Sequence, residues 1–348
     1  MSLPTSHSLD VPGARLYYEV QGSGPVIMLV GHPMGVSGFA AIAPLLAEDY
    51  TVVTYDPRGF SRSTIDDPDQ DAEPDLLADD VRRVLEAVGG GPAYVFGSSG
   101  GAVTGLALVA RYPGHVETLV AHEPPLALLL PEAEKARAGM HDIYDTYRES
   151  GISAAWQRFS GFTGINMRPQ GEDAARQPPS AEAVAMSERF FGHGLLPITF
   201  YQPDFSALQG APARVVVGGG TTSKGQFAQR TAIALAERLG SPLIDFPGGH
   251  TVSPATPRTS SASSDAPWHS LQGWAPGRRI PTVMICTRHV CDGPVAEWEQ
   301  TVPGAVSPTP ISGQCTSRRS NAIALETGGL GRSAPHRLSQ VAPPPILR

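Results

Sequence analysis

The residues best suited to chemistry lie in the run Ala93-Tyr94-Val95-Phe96-Gly97-Ser98-Ser99-Gly100-Gly101-Ala102. Within it, Gly97-Ser98-Ser99-Gly100-Gly101 fits the pattern G-x-S-x-G, with Ser99 at the centre. A short apolar strand enters this turn, and a helix opening with Ala102-Val103-Thr104 leaves it. The glycines remove Cβ atoms that would collide with the neighbouring strand and helix. Ser99 is then held in a strained backbone shape with its hydroxyl clear of the sheet. The free N–H groups of the helix start face any anion that forms beside it. Such a serine is placed for nucleophilic attack on a carbonyl. The same five residues also occur as a plain glycine-rich loop with two ordinary serines, so their context decides.

That context is a rhythm of strands and helices. Residues 8–20 read as a hairpin turning at Pro12-Gly13. Val26–Val30 is a continuous apolar run, the mark of a strand buried on both faces of a parallel sheet. It ends in Gly31-His32-Pro33-Met34-Gly35, followed by a helical stretch through Phe39, Ile42, Leu45 and Leu46. Tyr50–Tyr55 is the next strand, and residues 64–75 read as an acidic, proline-bearing loop. Leu77, Val81, Val84, Leu85 and Val88 recur at helical spacing. After the Ser99 turn, Thr118–Ala121 is a strand leading into His122-Glu123-Pro124-Pro125. Residues 126–205 carry no buried strand and look helical over 132–150, 152–161 and 182–191. Strand rhythm resumes at Arg214–Val217, then a helix over 225–239 and a strand Leu243–Phe246 closed by Pro247-Gly248-Gly249-His250. Alternation at this spacing is the signature of a doubly wound α/β sheet, mostly parallel. Right-handed crossovers gather the strand-end loops along one edge, and His32, Ser99 and Glu123 all sit at such ends.

These segments together resemble the α/β-hydrolase fold with a helical cap. The resemblance rests on the turn 97–101, on Val30-Gly31-His32-Pro33-Met34-Gly35, on Asp56-Pro57-Arg58-Gly59-Phe60-Ser61-Arg62-Ser63, and on Phe246-Pro247-Gly248-Gly249-His250. It implies a core over residues 1–125 and 206–250, with a cap over 126–205. It also implies a base at His250, because the fold keeps its histidine after the last strand. Serine needs such a base, and an imidazole titrates near working pH. His122 flanks the site edge and is the rival; His115, His141 and His193 lie at the wrong edge or in the cap. Many relatives carry an acid after the penultimate strand, but Gly218-Gly219-Gly220-Thr221-Thr222-Ser223-Lys224 has no carboxylate. Family branches like the haloalkane dehalogenases place it one strand earlier, where this chain has Glu123. A solvated Glu123 beside a serine–histidine pair with no third acid is the other arrangement. The resemblance assigns the oxyanion hole to the N–H groups of Gly100 and His32, with Val30 standing where histidine is common. Asp56 and Arg58 are expected to tie loops together. Residues 218–225 lack the Gly-Lys-Ser/Thr ending of a phosphate loop.

Composition narrows the function. A net charge of −7 over 348 residues argues against nucleic acid or an anionic membrane surface as partner. No stretch approaches the roughly 20 apolar residues of a membrane span, and Met1–His7 lacks the marks of a signal peptide, so a cytoplasmic location is expected. No cofactor and no metal are expected, and oligomeric state is unreadable. The expected activity is serine hydrolysis of a small, hydrophobic ester or related acyl compound through an acyl-enzyme. Two other readings use the same residues: a cofactor-free perhydrolase or haloperoxidase-like enzyme, and a non-catalytic ligand-binding protein on this fold. An aspartate would be the nucleophile for dehalogenase or epoxide hydrolase chemistry, and Ser99 argues against both.

Beyond His250 the composition changes. Residues 251–348 hold 13 of the 34 prolines, 12 serines and all three cysteines (Cys286, Cys291, Cys315), with nine arginines against five acids. Neither helical nor strand periodicity persists there, so an irregular, disordered tail is expected. The resemblance calls instead for an amphipathic helix after the histidine. Only Lys135 and Lys224 among the 26 basic residues are lysine, a usage typical of GC-rich coding DNA. A shift of reading frame near codon 251 in such DNA accounts for the change. Sequencing the gene tests it: another frame downstream of codon 250 should encode an apolar-periodic helix, and its absence would leave a genuine low-complexity extension.

Overall fold

The computed structural model describes residues 3–165 and 178–250, so the expectations for 251–348 fall outside it. β1 (Thr5–Val11) and β2 (Ala14–Gln21) pair antiparallel about Pro12-Gly13, with Gly13 at φ 76°, as the residue after proline in a type II turn requires. β3 (Val26–Val30) and β4 (Thr51–Tyr55) run parallel, joined by a 3₁₀ turn over Val36–Phe39 and the short helix α1 (Ala43–Leu46). Two residues read as loop form β5 (Thr64–Ile65) against β2, a pairing too short to leave a periodic pattern.

Helix α2 (Pro74–Val88) begins at a proline, whose missing N–H costs nothing in a first turn, and ends at Gly89. Its stripe Leu77, Val81, Val84 and Leu85 is buried against the sheet. β6 (Ala93–Ser98), α3 (Gly100–Arg111) and β7 (Val116–His122) follow. An excursion of helices comes next: α4 (Ala133–Thr163), broken at Gly151 with φ 81°, then α5 (Ala181–Arg189), a π-helical turn Phe190–Gly194, α6 (Leu195–Thr199) and α7 (Phe205–Gly210). The excursion contains no strand among the described residues. β8 (Arg214–Gly220), α8 (Phe227–Leu239) and β9 (Leu243–Phe246) complete the core. None of the described helices is long and apolar enough to cross a membrane.

The strands lie in the order β1-β2-β4-β3-β6-β7-β8-β9, with β5 on β2, and all pairings from β4 through β9 are parallel. The order reverses between β3 and β6. Their loops therefore leave in opposite directions and open a crevice at the strand ends, where ligands bind in open α/β sheets. Period-two alternation sends Met28 and Val30 to the face covered by α2 and α3, and Ile27 and Leu29 to the face covered by Phe39, Ile42 and Leu46. The helical excursion has its own core of Met140, Ile143, Phe159, Phe190, Phe191 and Leu195, which joins Phe227 of α8.

The loop after β4 is fixed by charge. Asp56, 1% exposed, accepts the Val36 N–H at 2.9 Å and the Arg62 Nε–H at 2.7 Å. Arg58 reaches α2, donating from Nε to Asp80 Oδ2 at 2.7 Å and from Nη2 to Oδ1 at 2.5 Å. Both partners of this fork are buried, so neither tolerates losing the other. Asp80→Ala should lower the free energy of unfolding in urea by about 3–5 kcal/mol, whereas the double change Arg58→Met with Asp80→Leu should cost far less.

Candidate active site

Ser99 joins β6 to α3 with φ 56° and ψ −125°, a conformation costing a non-glycine residue about 1–3 kcal/mol. Its neighbours over-determine it. The Ser99 N–H is bonded to the carbonyl of His122 on β7 at 3.0 Å. A Cβ on Gly97 would lie 2.6 Å from the Gly101 carbonyl oxygen and 2.7 Å from Ala102 Cα, and one on Gly101 would strike the carbonyl of Val30. Backbone packs directly on backbone here, which leaves the serine side chain as the part free to project.

His250 follows β9 on a loop pinned to the β8 loop by Thr221 N–H to Phe246 O at 2.9 Å and Thr222 N–H to Gly248 O at 2.8 Å. Its Nε2 lies 3.0 Å from Ser99 Oγ, and its Nδ1 lies 2.8 Å from Glu123 Oε2. Nδ1 therefore carries the proton and donates to the carboxylate, leaving Nε2 to accept from the serine hydroxyl. Glu123, also at positive φ (49°), is completely buried at the end of β7. Its Oε1 accepts the Gly220 N–H at 2.7 Å and the hydroxyl of Ser223. Burial pushes this carboxyl up, but the hydrogen bonds from His250, Ser223 and Gly220 outweigh it and hold the group below its ordinary value.

The rival bases are occupied elsewhere. The His122 ring sits 6.1 Å from Phe96 and 5.5 Å from Phe246, and burial holds its imidazole down to about 4. His115 and His193 meet Glu86 and Asp71 at 3.1 Å each, and His141 packs on Phe200. Gly100 is the first residue of α3, so its N–H is among those no helical carbonyl can take. His32 lies beside it: a Cβ on Gly100 would be 3.0 Å from the His32 carbonyl oxygen and 3.1 Å from its Nδ1.

Ser99, Gly100, His32 and His250 border a cavity of about 30 Å³, walled by Pro125, Met140, Phe159, Phe190, Leu195, Ile198 and Phe227 with Thr163, Ile165 and Thr199. A larger, open cleft of about 510 Å³ lies by Glu19, Val36, Ala43, Arg62 and Glu182, but among the described residues no histidine lines it to activate its Ser37 or Ser61. Chemistry favours the small one. Among the described residues, no three His, Cys, Asp or Glu side chains gather in a way that could hold a metal ion.

The profile of the family described as alpha/beta hydrolase fold matches residues 24–164. An uncharacterized hydrolase, YraK, of Bacillus subtilis (strain 168) is 36% identical over 251 residues, covering 70% of this chain and 89% of the relative. The chain belongs to the α/β-hydrolase family. This α/β-hydrolase is also 28% identical over 263 residues to a zearalenone hydrolase of Bionectria ochroleuca, covering 71% of this chain and 91% of that one. In fold it is similar to a thermophilic esterase from Thermogutta terrifontis, with a TM-score of 0.53, 19% identity, and coverage of 72% and 92%. The protein is a hydrolase.

All five sequence-derived site residues border or reach one another, but two contributions escaped the sequence. The loop 218–224 has no carboxylate but supplies the Gly220 and Ser223 donors to Glu123; no residue pattern marks a serine for that task. His32 also lines the cavity, and its buried ring nitrogens have no hydrogen-bond partner among the described residues. Because the Glu123 carboxyl is held below 4.5, its hydrogen bonds stabilise the fold fully above that pH, and the gain is lost as pH falls through the folded value. Wild type should therefore lose more of its urea midpoint than Glu123→Gln on moving from about pH 6 to about pH 3; equal losses would show that the carboxylate has no such linkage.

Proposed function

We propose that this hydrolase cleaves a small, hydrophobic ester or related acyl compound through a covalent acyl-serine. The hydrogen-bonded chain Ser99–His250–Glu123 carries this reading. Ser99 Oγ attacks the carbonyl carbon while its proton passes to His250 Nε2. Glu123 keeps Nδ1 protonated and stabilises the imidazolium that forms. The oxygen that becomes negative is received by the N–H groups of Gly100 and His32, aided by the positive end of α3. His250 then returns the proton to the leaving alcohol. Water repeats the sequence on the acyl-enzyme, with His250 taking its proton and Ser99 recovering its own.

The apolar walls favour a hydrophobic acyl or alcohol group, and a relative that is named a zearalenone hydrolase makes zearalenone a sensible member of any substrate panel. Enclosed ligand sites usually measure about 300–1,000 Å³. A space of about 30 Å³ admits an ester only when the helices over it, or their side chains, give way.

Two measurements test the reading. A fluorophosphonate should label the wild type on Ser99, and Ser99→Ala should lose both the label and the turnover of 4-nitrophenyl butanoate. Glu123→Gln presents an amide N–H to Nδ1 and forces the wrong tautomer, so kcat should fall about 10³- to 10⁴-fold. Full turnover in Ser99→Ala would end the proposal.

A further inference from the structure

Much of the wall over Ser99 is carried by one short stretch of chain. Phe190, Leu195, Ile198 and Thr199 line the cavity, and all fall within residues 189–199. The stretch starts at Arg189, the last residue of α5, and runs into the π-helical turn Phe190–Gly194, a rare form often found at functional sites. Its fastening lies outside the cavity, on the loop before α2. Arg189 donates from Nη1 to the Pro68 carbonyl at 2.7 Å and from Nη2 to the Gln70 carbonyl. The His193 carbonyl accepts the Ala72 N–H at 2.8 Å, and its Nδ1 lies 3.1 Å from Asp71 Oδ1. That loop is itself held, because Gln70 Oε1 accepts from Arg58 Nη1 at 3.0 Å and Arg58 is forked onto Asp80 of α2.

The composition of this fastening is unusual. Arg189 is 8% exposed, yet its hydrogen-bond partners among the described residues are two carbonyl oxygens, and Nε has none. Burial pulls the guanidinium below its ordinary value. A buried cation is costly unless a partner of opposite charge or full hydrogen bonding offsets it. The two carbonyls hold the wall in place, but the cation regains hydration when it leaves them. Such a tie fixes the wall at rest and still yields to a group that pushes from inside.

We propose that Arg189 is a positioning residue that sets substrate size, holding the wall 189–199 closed so that esters with a short buried group are favoured over long-chain ones. The proposal rests on the serine-hydrolase reading and names the size class of its substrate. A space of about 30 Å³ has room for about two waters, the bulk of an acetyl group. Every ester moves the wall on entry, but a short group lets it return, whereas a long one keeps it displaced through the transition state. Only interactions that differ between free enzyme and transition state alter kcat/KM. For the short group the Arg189 bonds are intact in both states and cancel. For the long group they are broken in the transition state, and their loss falls on kcat/KM.

The test measures kcat/KM for two pairs, 4-nitrophenyl acetate with 4-nitrophenyl octanoate and ethyl acetate with octyl acetate, so that either side of the ester can meet the wall. The full chain is used as wild type, Arg189→Met, Arg189→Lys and His193→Ala, with thermal unfolding and fluorophosphonate labelling of Ser99 as controls for folding. Wild type should favour the short member of at least one pair. In Arg189→Met that preference should fall by about tenfold or more, the scale of a hydrogen bond to a charged group, with turnover of the short ester little changed. Arg189→Lys, which keeps the charge but not the fork, should fall between, and His193→Ala should shift the ratio the same way by less. Should Arg189→Met not fold, the other two variants decide, and an unchanged ratio in both overturns the proposal. An equal change for both members of each pair also overturns it, because Arg189 would then support the fold without setting size. A wild type that favours the long member of both pairs overturns it and leaves the hydrolase reading intact. No turnover of any ester and no labelling of folded wild type would end both readings together.

Discussion

A carboxylate with no access to water must have each oxygen hydrogen-bonded, or it will not stay ionised. Glu123 is such a group, and its requirement organises the strand ends. One oxygen is satisfied from the β8 side by Gly220 and Ser223, the other by His250 alone. The imidazole is thus held by a buried charge that needs its proton, and the orientation that meets that need leaves Nε2 facing Ser99. The β8 loop and His250, 97 to 127 residues further along the chain, are in effect bound to one carboxyl group. The strained backbone at Glu123 itself fits the same picture, since the Glu123 N–H is anchored on the Gly218 carbonyl of the neighbouring strand.

The second constraint is steric and acts at Ser99. Parallel strands and their crossover helices pack closely only where no side chain intervenes, and α3 opens directly against β3 and β6 through Gly97 and Gly101. That contact fixes the helix start. The helix start places the Gly100 N–H, and the reversal of strand order between β3 and β6 brings the His32 loop beside it. The Asp56 carboxylate secures that loop from the far side by holding the Val36 N–H. Stability and site geometry therefore depend on the same contacts.

Much of this arrangement could be read in the residues, for physical reasons that also explain what could not. Buried parallel strands are largely apolar, so Val26–Val30 and Thr118–Ala121 stand out, and α2 declares its stripe by spacing. Ser99 is legible because its turn needs glycine at fixed offsets. Where the signal depended on partners distant in sequence, it failed. β5 is two residues long and exists only because β2 offers an edge. Ser223 reaches Glu123 across a hundred residues, and the loop that carries it was informative only for what it lacked. For His32 the sequence pointed to a backbone N–H, whereas the orphaned ring nitrogens became visible only once burial was known.

The closed state of the cavity links catalysis to selectivity. Apolar walls and small volume lower the local dielectric, which strengthens the pull of oriented N–H groups on a developing oxyanion relative to the same groups in water. The same surroundings raise the cost of any polar group left without a partner. Thr163 and Thr199 turn their hydroxyl protons back onto the carbonyls of Phe159 and Leu195, so neither donates into the cavity.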